Sequence, residues 1–148
     1  MSTDWTPQAL TLDLDDTLWP IWPTIARAER ALLAWLREMA PATVAAHDAK
    51  AMRAMRDALL KARPELATDL STLRRESIRK ALLASGDDPT LAEPAFEVFF
   101  AERQRVELYE DALPALQRLA RRWRIVGITN GNSDLARVGL EPYFAACF

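Results

Sequence analysis

Two short apolar runs stand out from a chain whose other hydrophobic residues recur with helical spacing. Residues 10–18 read Leu-Thr-Leu-Asp-Leu-Asp-Asp-Thr-Leu, and residues 124–132 read Arg-Ile-Val-Gly-Ile-Thr-Asn-Gly-Asn. Each reads as a buried strand that delivers polar groups to its C-terminal edge. Between them, Ile25, Ala28, Leu32, Trp35, Leu36 and Met39 mark one helix, which Pro41 closes. Met52, Met55 and Leu59 mark a second, ending near Pro64. Asp69 is placed to cap a third that carries Leu70, Leu73, Ile78, Ala81 and Leu82, and Gly86 stands where a C-terminal glycine belongs. Phe96, Phe99, Phe100 and Val106 mark a fourth. Four amphipathic helices on short connections predict a small bundle with the Met and Phe stripes as its core.

After Tyr109 the pattern changes. Pro114 suits the first turn of a helix with Leu113, Leu116, Leu119 and Ala120 on one face. That helix feeds a strand over residues 124–129. Asn132 or Ser133 can cap a short helix ending near Gly139, and the last four residues, Ala-Ala-Cys-Phe, start a third strand. The predicted fold class is therefore α/β. A partial, Rossmann-like parallel sheet forms an incomplete core (residues 1–19 and 107–148), and a four-helix domain (residues 20–106) is inserted after its first strand.

The strand ends carry the candidate chemistry. Asp13 and Asp15 are two apart, so an extended strand would put both on one face. Carboxylates that close repel unless a cation or a proton sits between them. The pair implies either a bound metal or one ionised acid beside a protonated one. A solvated, Asp-rich turn is the plainer alternative. An EF-hand loop fails on spacing, because Thr17 and Leu18 stand where it needs Asp or Asn and then Gly. At the second strand end, the Thr129 hydroxyl and backbone N–H groups beside Gly131 can hold phosphate oxygens. His47, the only histidine, reads as a surface residue near a helix start, and no zinc or Ser-His-Asp site can be assembled around it.

Composition narrows the class only a little. A chain of 148 residues suits one ordinary domain or two small ones. With 50% hydrophobic and 27% charged residues it is typical of a soluble globular protein. The net charge of −2 gives no bulk electrostatic reason to expect nucleic acid. No run has the apolar length to span a bilayer, and no secretory signal is visible, so no membrane partner is expected. The lone Cys147 excludes an internal disulfide and fits a reducing, cytoplasmic setting.

Taken together, the two strand ends resemble motifs of the haloacid dehalogenase-like hydrolases, a superfamily made mostly of phosphatases. Asp13-Leu14-Asp15-Asp16-Thr17 looks like the first motif and Ile128-Thr129-Asn130-Gly131 like the second, and the likeness runs from about Leu10 to Phe148. The helical insert and the Thr-Asn-Gly-Asn run look most like bacterial phosphatases acting on flavin mononucleotide or related phosphoribityl compounds. The resemblance implies hydrolysis of a small-molecule phosphate monoester with Mg²⁺ as cofactor. Asp13 would be the nucleophile that forms an aspartyl-phosphate, and Asp15 the general acid/base. Mg²⁺ would be held by the Asp13 carboxylate and the Asp15 backbone carbonyl, and the phosphoryl group by Thr129 and the Asn130 N–H. The family's dehalogenases lack an acid at the position of Asp15, so its presence favours phosphate chemistry. A phosphomutase of the same superfamily would use the same two aspartates. Asp16 and Thr17 read as structural.

In the family such an insert is a mobile cap that sets substrate choice. Arg74, Arg75 and Arg79 lie on its third helix, where a solvated face would account for them; Arg74 is the candidate substrate contact. Arg118, Arg121, Arg122 and Arg124 read as the wet side of a core helix. The family's third motif, a Lys or Arg, and its fourth, an acidic pair after a Gly, would follow the third strand, whereas the sequence stops at Phe148. The expectation is a C-terminally truncated chain with little activity of its own. It would self-associate or pair with a missing C-terminal segment to cover its first strand. The alternative is a non-catalytic helical module for binding or oligomerisation.

Overall fold

A computed structural model describes residues 7–148. The elements run β1 (Ala9–Leu12), α1 (Ile21–Met39), α2 (Pro41–Ala46), α3 (Ala49–Ala62), α4 (Leu70–Ser85), α5 (Ala92–Arg103), α6 (Ala112–Ala120), β2 (Arg124–Gly127), α7 (Leu135–Val138) and β3 (Ala146–Cys147). The chain divides into two compact units. One joins the described residues up to Trp22 with Gln104–Phe148; the other is Pro23–Arg103. The class is α/β, as the hydrophobic pattern predicts.

The first unit is built on a parallel sheet in the order β1-β2-β3. Parallel neighbours need long crossovers. The whole helical unit and α6 lie between β1 and β2 in the chain, and α7 lies between β2 and β3. Leu14, Leu18, Trp19, Leu116, Ile125 and Leu140 form its buried core. Each such side chain contributes about 1.5–3 kcal/mol on leaving water. The second strand ends at Gly127, two residues short of expectation, yet the ladder continues, since Ile128 N–H donates to Leu12 and Thr129 N–H to Phe148. On α6, Leu116 is buried while Leu113 and Ala120 are exposed, so the apolar face is narrower than its spacing suggested.

The helical unit packs Leu32, Leu36, Ile78, Leu82, Phe96 and Phe99 into a separate core. Asp69 caps α4 by accepting from Thr72 N–H at 2.9 Å, and Gly86 ends it in the left-handed region at φ 77°. Both roles match the sequence reading. Four expected helices became five, because Pro41 closes α1 and also opens the short α2, where its missing N–H costs nothing. The Asp87 carboxylate accepts from both the N–H and the hydroxyl of the buried Thr43, which ties α2 to the end of α4. Three expectations need correction. Met39 is half-exposed at the end of α1. Val106 lies beyond α5 and packs against the core of the other unit. His47 is not a free surface residue: it closes α2, and its Nε2 is shielded from solvent without a hydrogen-bond partner.

The cap of α4 can be titrated. The Thr72 hydroxyl and N–H hold the Asp69 carboxyl below the usual carboxylate range. A depressed carboxyl stabilises the fold when ionised, and that gain is lost as pH falls through the folded-state pKa. Asp69→Ala should cost about 1 kcal/mol at neutral pH. In urea unfolding the deficit should shrink below about pH 4; an unchanged deficit in acid would contradict the capping role.

Candidate active site

The register of β1 and β2 builds the site. Leu12 pairs with Gly127, so the residues that follow, Asp13 and Ile128-Thr129, leave the sheet side by side at its C-terminal edge. In open α/β sheets that edge is where ligands bind. β1 ends at Leu12, before the acidic residues, so they do not lie on an extended strand as first expected. Alternation nonetheless persists: Leu14 is fully buried between an exposed Asp13 and a half-buried Asp15.

The chain then turns sharply. Thr17 and Leu18 N–H both donate to Leu14 C=O, and Asp16 adopts a left-handed φ of 59° while its carboxylate accepts from Ile21 N–H. The cost of that φ is tolerable because Asp is among the few residues that visit this region. Asp16 is thus structural, as expected, and Thr17 acts through its backbone.

The two candidate catalytic acids differ in their settings. Asp13 accepts one bond at 2.7 Å from Leu14 N–H, and its second oxygen has no partner among the described residues. Asp15 Oδ1 accepts from the indole N–H of Trp19 at 2.8 Å, and Ser133 Oγ lies 3.5 Å away. Trp19 is itself fully buried, so it holds Asp15 from the core side. The Thr129 hydroxyl oxygen accepts from Gly131 N–H at 3.0 Å, which leaves its proton to donate. The Asn130 N–H has no acceptor among the described residues. Two donors are therefore available at the strand end beside Asp13.

Gln104 organises the loop after Thr129. Its side chain is buried, donates to Asn132 C=O at 3.2 Å and accepts from Asp134 N–H at 2.7 Å. This grip moves the start of α7 onward: Asp134, not Asn132 or Ser133, caps it by accepting from Ala136 and Arg137 N–H. Sequence reasoning missed Trp19 and Gln104. Trp19 had one usable signal, an aromatic with a donor four residues after Asp15. Gln104 had none, because its partners lie far along the chain.

Among the described residues no three His, Cys, Asp or Glu side chains gather as a ready-made metal site. Mg²⁺ needs fewer, since it commonly takes one or two carboxylates and completes its octahedron with waters and substrate phosphate. The unpartnered Asp13 oxygen and the Asp15 carbonyl are the oxygen donors that suit it. Arg74 belongs to the helical unit and is not on a solvated face. Its guanidinium stacks on Phe99 at 3.6 Å. Arg75 and Arg79 pair with Glu93. Arg118, Arg121, Arg122 and Arg124 are exposed, as expected.

Comparison with known proteins gives the chain a family. A family model described as haloacid dehalogenase-like hydrolase matches residues 7–148. The chain belongs to that family, the one its two motifs resemble. It is 35% identical over 140 residues to 5-amino-6-(5-phospho-D-ribitylamino)uracil phosphatase YigB of Escherichia coli strain K12, covering 92% of this chain and 58% of YigB. Its fold matches the crystal structure of 2-haloacid dehalogenase from Pseudomonas syringae pv. tomato DC3000 with a TM-score of 0.89 and 37% identity, over 97% of this chain and 64% of that one. YfnB of Bacillus subtilis, solved bound to magnesium, shares the fold at a TM-score of 0.60 and 19% identity, over 95% of this chain and 64% of its own. The chain thus spans less than two thirds of the length of each. No helix among the described residues is long and apolar enough to cross a membrane.

The loop grip is testable. Gln104→Leu keeps the volume but removes its hydrogen bonds to the half-buried Asp134 N–H and Asn132 C=O, which should cost about 0.5–1.5 kcal/mol for each bond lost. Amide exchange should accelerate at Ser133 and Asp134 while α4 stays protected. Uniform loosening of both units would show that Gln104 has no local role.

Proposed function

We propose that the whole protein is a Mg²⁺-dependent phosphatase that hydrolyses a small-molecule phosphate monoester through an aspartyl-phosphate. The observation that carries this reading is the β1–β2 register, which sets the exposed Asp13 carboxylate beside the free donors of Thr129 and Asn130. In this reading the Asp13 oxygen attacks phosphorus while the Thr129 hydroxyl and Asn130 N–H hold the phosphoryl oxygens. Asp15 gives its proton to the departing alkoxide. It then takes a proton from water, which attacks the phosphorus of the aspartyl-phosphate, releasing inorganic phosphate and restoring Asp13. Trp19 keeps Asp15 oriented for both transfers. Mg²⁺, held by Asp13 and the Asp15 carbonyl, would offset phosphate charge.

The inserted helical unit is read as the cap that selects the substrate. The likeness to YigB supports a phosphorylated ribityl compound as that substrate. A second reading, dehalogenation of a 2-haloacid, is favoured by the name of the Pseudomonas relative. The carboxyl of Asp15 weighs against it, since release of halide needs no proton from an acid.

The protein expressed from its full reading frame should release phosphate from a phosphoribityl substrate only with Mg²⁺, and no halide from a 2-haloacid. Asp13→Asn should abolish turnover, and Asp15→Asn should lower kcat by about 10²–10⁴-fold. Halide release without phosphatase activity would replace this reading with the second.

A further inference from the structure

We propose that the helical unit carries its own oxyanion site, in the pocket where Arg53, Arg56 and Arg74 converge on Glu29. Glu29 comes from α1, Arg53 and Arg56 from α3, and Arg74 from α4. Of the three arginines, Arg53 alone makes a true hydrogen bond to the carboxylate, at 2.7 Å. Arg56 and Arg74 stand 3.6 and 3.9 Å from its other oxygen, beyond hydrogen-bond reach. Neither guanidinium donates a hydrogen bond to any described residue. One further carboxylate, the exposed Asp57, lies 3.9 Å from Arg56. The pocket therefore holds more positive charge than its acids offset, and unspent N–H donors line it.

Arg74 is the deepest member. Its side chain is 14% exposed. Burial, and then the like charge of Arg56, push it down to about 9, against the opposing pull of Glu29. Buried Arg103 adds further charge of the same sign. A desolvated cation with idle donors is costly until an anion meets it. The floor is apolar, with Leu32, Met52 and Ile78, which weakens competition from water. The cavity is about 30 Å³. That is room for about two water-sized groups, so the oxygens of an anion would enter while the rest of the ligand stays outside. Guanidinium forks suit planar or tetrahedral oxyanions, so the class is a carboxylate or a phosphate. This inference stands apart from the proposed phosphatase chemistry.

The test is the melting temperature of the full chain in millimolar inorganic phosphate, against chloride at equal ionic strength, with acetate as the carboxylate probe. At least one oxyanion should raise the wild-type melting temperature by roughly 2–5 °C more than chloride does. The rise should persist in Thr129→Ala, which alters the other unit, and should vanish in Arg56→Gln and Arg53→Gln. Those two side chains are more exposed than Arg74, so the fold should tolerate their loss. Any general stabilisation by phosphate through exclusion from the surface would be common to every variant. An equal rise in the arginine variants, or no rise beyond chloride in the wild type, overturns the site. Loss of the rise in Thr129→Ala alone overturns it too, because the anion would then sit at the strand end.

Discussion

The parallel pairing of β1 with β2 is the constraint on which the rest of the candidate active site depends. Four residue pairs fix the register, from Ala9 with Arg124 to Leu12 with Gly127. Side chains alternate across a strand, so a slip of one residue would reverse every face. It would bury Asp13 or expose Leu14, and Thr129 would no longer stand beside the acid. Most of the chain lies between these two strands in sequence, so this non-local contact repays its loop-closure entropy only when the intervening helices pack. The helical core around Phe96 and Phe99 and the cap at Asp69 give that intervening segment a stable fold.

Around the register, buried polar groups give the site its shape. Trp19 and Gln104 each bury a donor and aim it at one acceptor in the first unit. Neither needs to touch a substrate to matter, since an acid or a phosphate loop misplaced by an ångström loses much of its effect. The helical unit uses charge differently. Three of its arginines, Arg53, Arg56 and Arg74, gather around Glu29, an arrangement that costs stability unless something further is bound.

Much of this was legible in the sequence. Strand ends rich in Asp and in Thr-Asn-Gly mark their own position, because apolar runs cannot continue through such residues. Asp69 and Gly86 were readable because capping is local chemistry. What escaped reading was set by tertiary contact. Asp134 displaced Asn132 and Ser133 as the cap of α7 because Gln104, distant in sequence, holds the loop. Val106 continued a helical stripe on paper but packs with the other core. Arg74 reads from the sequence as a substrate contact or as part of a wet helix face, and only the packing of α4 against Phe99 reveals its burial.

The proposed mechanism rests on phosphorylation of Asp13 during turnover. The most direct measurement is borohydride trapping of the full protein during turnover of a phosphate ester, followed by peptide mass spectrometry. An acyl phosphate is reduced by borohydride where a free carboxylate is not. Substrate-dependent reduction confined to Asp13 is expected. Reduction at another residue, or none at Asp13 while phosphate is being released, would contradict it.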